Sequence, residues 1–123
     1  MDEQAALDRT RQVAELVASD SICANQLSVS VIRVEAQAEP RFHLVTFQVN
    51  DRRFVTGVDS ADDHGALCKA LADALQGDVI GYERIQWPDC PEQGHHHLLE
   101  MTATGQWQCP TGPFARKAGE LCS

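Results

Sequence analysis

The order of hydrophobic and polar positions in the first third of the chain predicts one amphipathic helix followed by a strand. Over residues 2–19 small or apolar side chains recur at three- and four-residue steps, as on one face of an α-helix: Ala6, Thr10, Val13 and Val17. Residues 27–34 are rich in Val, Ile and Ser, a composition that favours a strand.

The clearest local pattern is a β-hairpin around Asn50-Asp51, two residue types that tolerate the positive φ of a tight turn. It joins strands over residues 42–49 and 52–58. This turn predicts four facing pairs on one mostly apolar side of the sheet: Val49 with Arg52, Phe47 with Phe54, Val45 with Thr56 and His43 with Val58. We therefore expect that side to face the core, with His43 as an interior or rim histidine rather than a ligand.

A second helix is predicted after the hairpin. Ser60 and Asp63 resemble a capping box, with Ser60 as the N-cap, and the helix then runs to Gln76 with Gly77 as its stop. Residues 79–85 predict a short fourth strand. This order of elements predicts an α+β fold: an antiparallel sheet of three to four strands with two helices, plus a C-terminal metal-clamped β-hairpin.

Length and charge narrow the classes of function. A chain of 123 residues suits a single domain, with 1–86 as the α+β core and 87–123 as a zinc-hairpin extension packed on it. The formal net charge of −8 lacks the basic footprint of a nucleic-acid-binding protein. The acidity either serves solubility or presents a face to a basic protein partner. A homodimer is also compatible with the sequence.

The apolar segments are too short for a membrane span, which needs about 20 residues. The acidic N-terminus has no apolar signal region, which predicts a cytoplasmic location. The five cysteines are an odd set without regular spacing, so we expect reduced thiols and metal ligation rather than a disulfide framework. Cys23 and Cys68 are interpreted as small buried apolar groups. Cys122 is interpreted as a mobile thiol or a substitute ligand.

The candidate metal ligands lie in the C-terminal third of the chain. Cys90, the run His95-His96-His97 and Cys109 fall within twenty residues, and sulfur and imidazole are the donors that tetrahedral zinc prefers. A hairpin between residues 97–101 and 106–109 would bring them together. Along an extended strand His95 and His97 point the same way, so the predicted ligands are Cys90, His95, His97 and Cys109. Trp87 and Trp107 are expected to pack at the base of this hairpin.

This segment resembles the metal hairpins of the zinc-ribbon class. It is also similar to small uncharacterised bacterial proteins with a Trp-Pro-x-Cys-Pro-x-His-x-His-x-Leu stretch followed by Trp-x-Cys-Pro. The matching residues are Trp87, Pro88, Cys90, Pro91, His95, His97, Leu98, Trp107, Cys109 and Pro110. Two extra residues before His95 and the added His96 depart from that pattern. The resemblance covers about 25 residues and implies a metal, but no activity.

Three functions follow as hypotheses. The first is a non-enzymatic protein with a structural zinc ion, acting as an adaptor or regulatory protein-interaction module. The second is an acidic chaperone-like or immunity-type protein that sequesters a cognate partner, since the predicted element order is similar to that of bacterial secretion chaperones. The third is a small zinc hydrolase, in which Cys90, one histidine and Cys109 hold the ion and Glu92 or Glu100 is the general base.

Overall fold

The computed structural model describes residues 2–38, 41–92 and 97–122, and within them it confirms the α+β fold. The first sheet has the order β1-β2-β3 and the second the order β4-β5-β6, both antiparallel. The elements are α1 (Glu3–Ser19), β1 (Val29–Ala36), β2 (Phe42–Val49), β3 (Arg52–Asp59), α2 (His64–Asp78), a π-helix (Val79–Glu83), β4 (Glu100–Met101), β5 (Gln106–Gln108) and β6 (Ala115–Lys117).

Helix α1 forms where its apolar periodicity predicts it. The carboxylate of Asp2 caps it by accepting a hydrogen bond of 2.7 Å from the backbone N–H of Ala5. The buried face of the helix comprises Thr10, Val13, Ala14, Val17 and Ala18. These residues pack in one core with the inner face of the first sheet and with α2.

The central hairpin has the predicted register at all four pairs. Asn50 takes up a positive φ of 53°, as the turn requires. His43, Val45, Phe47 and Val49 are all buried, which confirms the core side. Strand β1 begins two residues later than predicted and extends two residues further. The Asn50 side chain accounts for the late start, because it holds the chain before β1 by accepting from the Ser28 N–H and donating to the Gln26 carbonyl.

The start of α2 corrects the capping prediction. Asp63, rather than Ser60, is the N-cap, and its carboxylate accepts a hydrogen bond of 2.8 Å from the Ala66 N–H. Ser60 instead continues the edge of the sheet, with its backbone N–H donating to the Arg41 carbonyl at 2.6 Å. The capping-box pattern places Asp63 at the third helical position, whereas in the structure Asp63 precedes the first one.

The end of α2 also differs from the prediction. The helix passes through Gly77 and continues as the π-helix, which replaces the predicted strand over 79–85 and ends at Arg84 with a φ of 58°. A long-range network explains this. Arg52 in the hairpin donates to Asp78 at 2.9 Å and to Glu83 at 2.6 Å, so both carboxylates are held on helical turns beside the hairpin. Such contacts outweigh the cost of about 1 kcal/mol for a glycine inside a helix.

The C-terminal segment forms the predicted hairpin. Met101 pairs with Trp107, and β6 adds a third strand that the sequence pattern did not indicate. Trp87 and Trp107 pack edge to face with ring centroids 5.4 Å apart, as expected for the hairpin base. The turn between β4 and β5 lies against α2 at Gly65. A Cβ added to Gly65 would come within 2.1 Å of the Ala103 carbonyl oxygen in that turn.

A disulfide overturns part of the cysteine prediction. Cys23, just after α1, is bonded to Cys122, with a Cα–Cα distance of 5.5 Å. Cys23 is therefore not a buried apolar group, and Cys122 is neither a mobile thiol nor a substitute ligand. Cys68, Cys90 and Cys109 form no disulfide, and all three are buried. Sequence spacing missed the pair because the two partners are 99 positions apart.

Candidate metal centre

Two Cys-Pro turns of similar construction bring the sulfur atoms together. Cys90 opens the first turn, over residues 90–92, and its backbone N–H donates to the His97 carbonyl at 2.9 Å. Cys109 opens the other, which is closed by its N–H donating to the Phe114 carbonyl at 3.0 Å. Each cysteine thus lies at the end of a paired segment, where backbone hydrogen bonds fix its position without a metal ion.

The donor atoms of three residues converge between these turns. The sulfur atoms of Cys90 and Cys109 and a carboxylate oxygen of Glu92 all lie within 4.8 Å of one another. The two cysteines are 6% and 2% exposed, so the sulfur atoms are nearly out of solvent. Thiolate sulfur and carboxylate oxygen are both established zinc ligands. This group can therefore hold a metal ion.

Glu92 is tied to both turns. It follows Cys90 by two positions, and its Oε1 accepts a hydrogen bond of 2.9 Å from the Phe114 N–H, in the turn that Cys109 opens. A ligating carboxylate is usually oriented by such a second hydrogen bond. This hydrogen bond therefore links the two turns and orients the Glu92 carboxylate toward the two sulfur atoms.

In the absence of a cation, the surroundings of Cys90 favour its neutral thiol. Burial raises the pKa of the Cys90 thiol, and the neighbouring Cys109 raises it further, while the Glu92 backbone N–H lowers it. A divalent cation supplies the positive charge that stabilises both thiolates. Metal binding at such a site releases protons and depends on pH.

Two of the four predicted ligands, Cys90 and Cys109, are brought together by the fold. His95 lies outside the described residues. The His97 side chain is exposed and is not one of the three clustered donors, although its backbone pairs directly with Cys90. From the sequence, Glu92 is a candidate only for the general base. Its position two residues after a predicted ligand is the one signal that could have identified it as a donor.

His43 and Cys68, two other residues that the sequence singles out, are buried and lie outside the donor group. His43 is 1% exposed, its Nδ1 lies 2.8 Å from the Thr10 hydroxyl, and burial lowers its pKa, which confirms an interior histidine. Cys68 is fully buried, as predicted, and burial raises its pKa to about 11. Its neighbour His64, with Nε2 at 3.5 Å from the sulfur, therefore faces a thiol rather than a thiolate nucleophile.

A cleft of about 610 Å³ opens beside the centre. It lies between the loop after α1 and the segment that leads into the first Cys-Pro turn. Its lining includes Cys23, Trp87, Cys90, Pro91 and Leu121. Cys90 is therefore both a member of the Cys90–Glu92–Cys109 donor group and part of the lining of this cleft.

A comparison of the chain with models of known protein families, with curated proteins and with solved structures gave no significant match. Function is therefore inferred from the geometry of Cys90, Glu92 and Cys109. Within the described residues, none of the helices has the length and apolar character needed to cross a membrane.

Proposed function

We propose that the protein is a zinc-binding α+β protein whose C-terminal sheet is held by a structural zinc ion. One observation carries this proposal. Two cysteines and a carboxylate place their donor atoms within 4.8 Å of one another although they come from two separate turns. The zinc-ribbon resemblance of the sequence is in line with it, because that class also holds its ion between two turns.

The ligand set that we propose combines this geometry with the sequence. Cys90 and Cys109 supply the sulfur, and His95 and His97 stay the predicted imidazole donors. Glu92 enters as a competitor for one of those two positions, because a tetrahedral ion accepts four ligands. Three variants, Glu92→Gln, His95→Ala and His97→Ala, separate the possibilities. The two whose loss weakens zinc binding most are the ligands that complete the shell.

The first experiment is elemental analysis of untagged protein. We expect one zinc ion per chain, lost in Cys90→Ser and in Cys109→Ser. Cys68→Ala is the matched control, because Cys68 is also outside the disulfide and lies outside the donor group. Metal content near zero in the unaltered chain, with folding insensitive to chelators, would contradict the proposal.

A structural ion is favoured over a catalytic one, because four protein ligands leave no position for a water molecule. Substitution with Co²⁺ tests this. We expect thiolate charge-transfer bands and a tetrahedral visible spectrum that added azide does not change. A spectrum that shifts with azide would reveal an exchangeable position and would favour the hydrolase hypothesis instead.

The role that we propose for such a protein is that of an adaptor or regulatory module for a protein partner. The net charge of −8 favours a basic one. The cytoplasm stays the compartment proposed from the sequence, and the Cys23–Cys122 disulfide, a type of bond that is rare there, counts against it. Cross-linking in the native host tests the role, with Cys90→Ser compared against Cys68→Ala. A partner lost only in Cys90→Ser supports an interaction that needs zinc, whereas equal recovery in both variants contradicts it.

The chaperone-like alternative is the second candidate, and it is based on element order, charge and size. In the structure a π-helix follows α2 where the sequence predicts a strand, and the next strand is β4. A stable homodimer in sedimentation experiments would favour this alternative, and a monomer at all concentrations would count against it.

A further inference from the structure

Both sulfur atoms of the candidate centre are close enough to react with each other. Cys90 and Cys109 lie within the group whose donor atoms are all within 4.8 Å, and the third member, Glu92, has no redox chemistry. Joining the two sulfur atoms in a disulfide would thus remove both thiolate ligands at once. A site with three or four cysteines would keep some of its thiolates after the same event.

A small oxidant has a route to this pair. Cys90 lines the open cleft of about 610 Å³ and keeps 6% of its surface exposed. Cys109 lines a second cleft of about 390 Å³ on the side of Lys69 and Met101. Cys68 differs from this pair, because it is 0% exposed. Oxidation should therefore select the pair over Cys68.

We propose that the Cys90–Cys109 centre is a peroxide-sensitive zinc switch. This inference rests on the proposed zinc function. In the first step the Cys90 thiolate attacks a peroxide oxygen, the O–O bond breaks, and a sulfenic acid forms together with water after protonation. The Cys109 thiolate then attacks the Cys90 sulfur, and the hydroxyl leaves as a second water molecule.

The balance is two thiolates, one hydrogen peroxide and two protons giving one disulfide and two waters. The two sulfur atoms lose two electrons, which the peroxide gains. Zn²⁺ keeps its charge throughout and dissociates because its sulfur ligands are gone. A dithiol reverses the change, as it becomes a disulfide itself and returns two thiols that can bind zinc again.

The test treats zinc-loaded protein with hydrogen peroxide and follows zinc with a chromogenic chelator. We expect release of one zinc ion per chain and a fall from three free thiols to one, with peptide mapping that identifies a Cys90–Cys109 cross-link. Cys68→Ala should release zinc in the same way and fall from two thiols to none. The reversal by a dithiol is measured in a Cys23→Ser/Cys122→Ser background, where no other disulfide can be reduced.

Two results would overturn the inference. One is zinc release accompanied by sulfinic or sulfonic acids without the cross-link. The other is retention of zinc and thiols at peroxide doses that oxidise free glutathione. Either result in a chain that binds zinc leaves the proposed function standing. A chain that takes up no zinc contradicts the proposed function itself, and a peptide map of that peroxide-treated chain shows independently whether the pair forms a disulfide.

Discussion

Trp107 donates its indole N–H to the Asp20 carboxylate at 2.7 Å, which ties the C-terminal sheet to the end of α1. The same oxygen accepts a hydrogen bond from the Gly119 N–H at 2.8 Å, and the other oxygen accepts one from the Leu121 N–H at 3.0 Å. Asp20 is only 1% exposed. A single buried carboxylate thus satisfies three donors from the C-terminal segment, close to the Cys23–Cys122 disulfide.

Replacing Asp20 by alanine should destabilise the fold strongly. The change leaves three donors without their acceptor, and each buried donor left unsatisfied costs about 1–3 kcal/mol. Because water can enter and relieve part of this cost, we expect the free energy of unfolding to fall by about 3–5 kcal/mol. Denaturant titration measures it. Asp73→Ala is the control, since Asp73 is half exposed in an ion pair with Lys69 and should cost less than about 0.5 kcal/mol.

The titration of Asp20 gives a second prediction. Burial raises its pKa above the ordinary value of 3.8, against the hydrogen bonds from Gly119, Trp107 and Leu121, which lower it. Between 3.8 and the raised pKa the folded protein holds a proton that the unfolded chain has released. The contribution of Asp20 to the free energy of unfolding therefore falls as the pH rises through that interval.

The variant Asp20→Asn removes this titration and keeps a side chain of the same shape. We expect the difference in unfolding free energy, wild type minus variant, to decrease as the pH rises from about 3.8. Carboxylates with lowered pKa values, such as Glu83, titrate in both proteins and cancel in the difference. A difference that grows with pH would show that hydrogen bonding outweighs burial at this position.

Two local patterns in the sequence predicted the structure correctly. The helical periodicity gave α1, and the Asn50-Asp51 turn gave the register of the β2–β3 hairpin at every pair. Predictions failed where distant residues decide. Arg52 holds Asp78 and Glu83 in helical turns, so a segment with strand-like composition becomes a π-helix.

The candidate site was predictable in part for the same reason. Cys90 and Cys109 stand out by residue type and by the hairpin that joins their segments. Glu92 joins the candidate group through a long-range contact, because the Phe114 N–H in the other turn fixes its carboxylate. The Cys23–Cys122 pair depends on the return of the chain end to α1, which no local spacing encodes.

Gly65 tests the packing of the C-terminal sheet against α2. Alanine normally stabilises a helix relative to glycine by about 1 kcal/mol. At Gly65, however, a Cβ would lie 2.1 Å from the Ala103 carbonyl oxygen, and the neighbouring atoms are backbone. We expect Gly65→Ala to lower the free energy of unfolding by about 1–3 kcal/mol, as overpacking does.

Gly77→Ala is the matched control, since it lies in the same helix and a Cβ at this position would meet no atom within 4 Å. It should raise the free energy of unfolding by about 0.5–1 kcal/mol. Thermal and denaturant unfolding measure both variants. Equal effects of the two alanines would mean that the sheet does not press on α2 at Gly65.

The Cys23–Cys122 disulfide closes most of the chain into one loop, with a sequence separation of 99. Loop-closure entropy for that length corresponds to about 4–5 kcal/mol in the unfolded state. We expect the free energy of unfolding of the double variant Cys23→Ser/Cys122→Ser to fall by up to that amount. The folded chain end should keep its position in this variant, because Asp20 still accepts hydrogen bonds from Gly119 and Leu121. Comparison of both proteins under a reducing agent provides the check. A reductant that destabilises the double variant as much as the wild type would show that this disulfide is not the cause.

Removal of the proposed zinc ion should loosen the C-terminal sheet and leave the first sheet and its helices folded. The chain has two tryptophans, Trp87 and Trp107, and both are buried at the base of that sheet. Their fluorescence therefore reports on this part of the molecule, while far-UV circular dichroism is dominated by α1 and α2. With a chelator we expect a red shift of the emission and little change in the helical signal. Cys90→Ser should show the shifted emission without chelator, and Cys68→Ala should respond like the wild type. An emission maximum that stays the same when bound zinc is removed would mean that the ion does not hold the two Cys-Pro turns together.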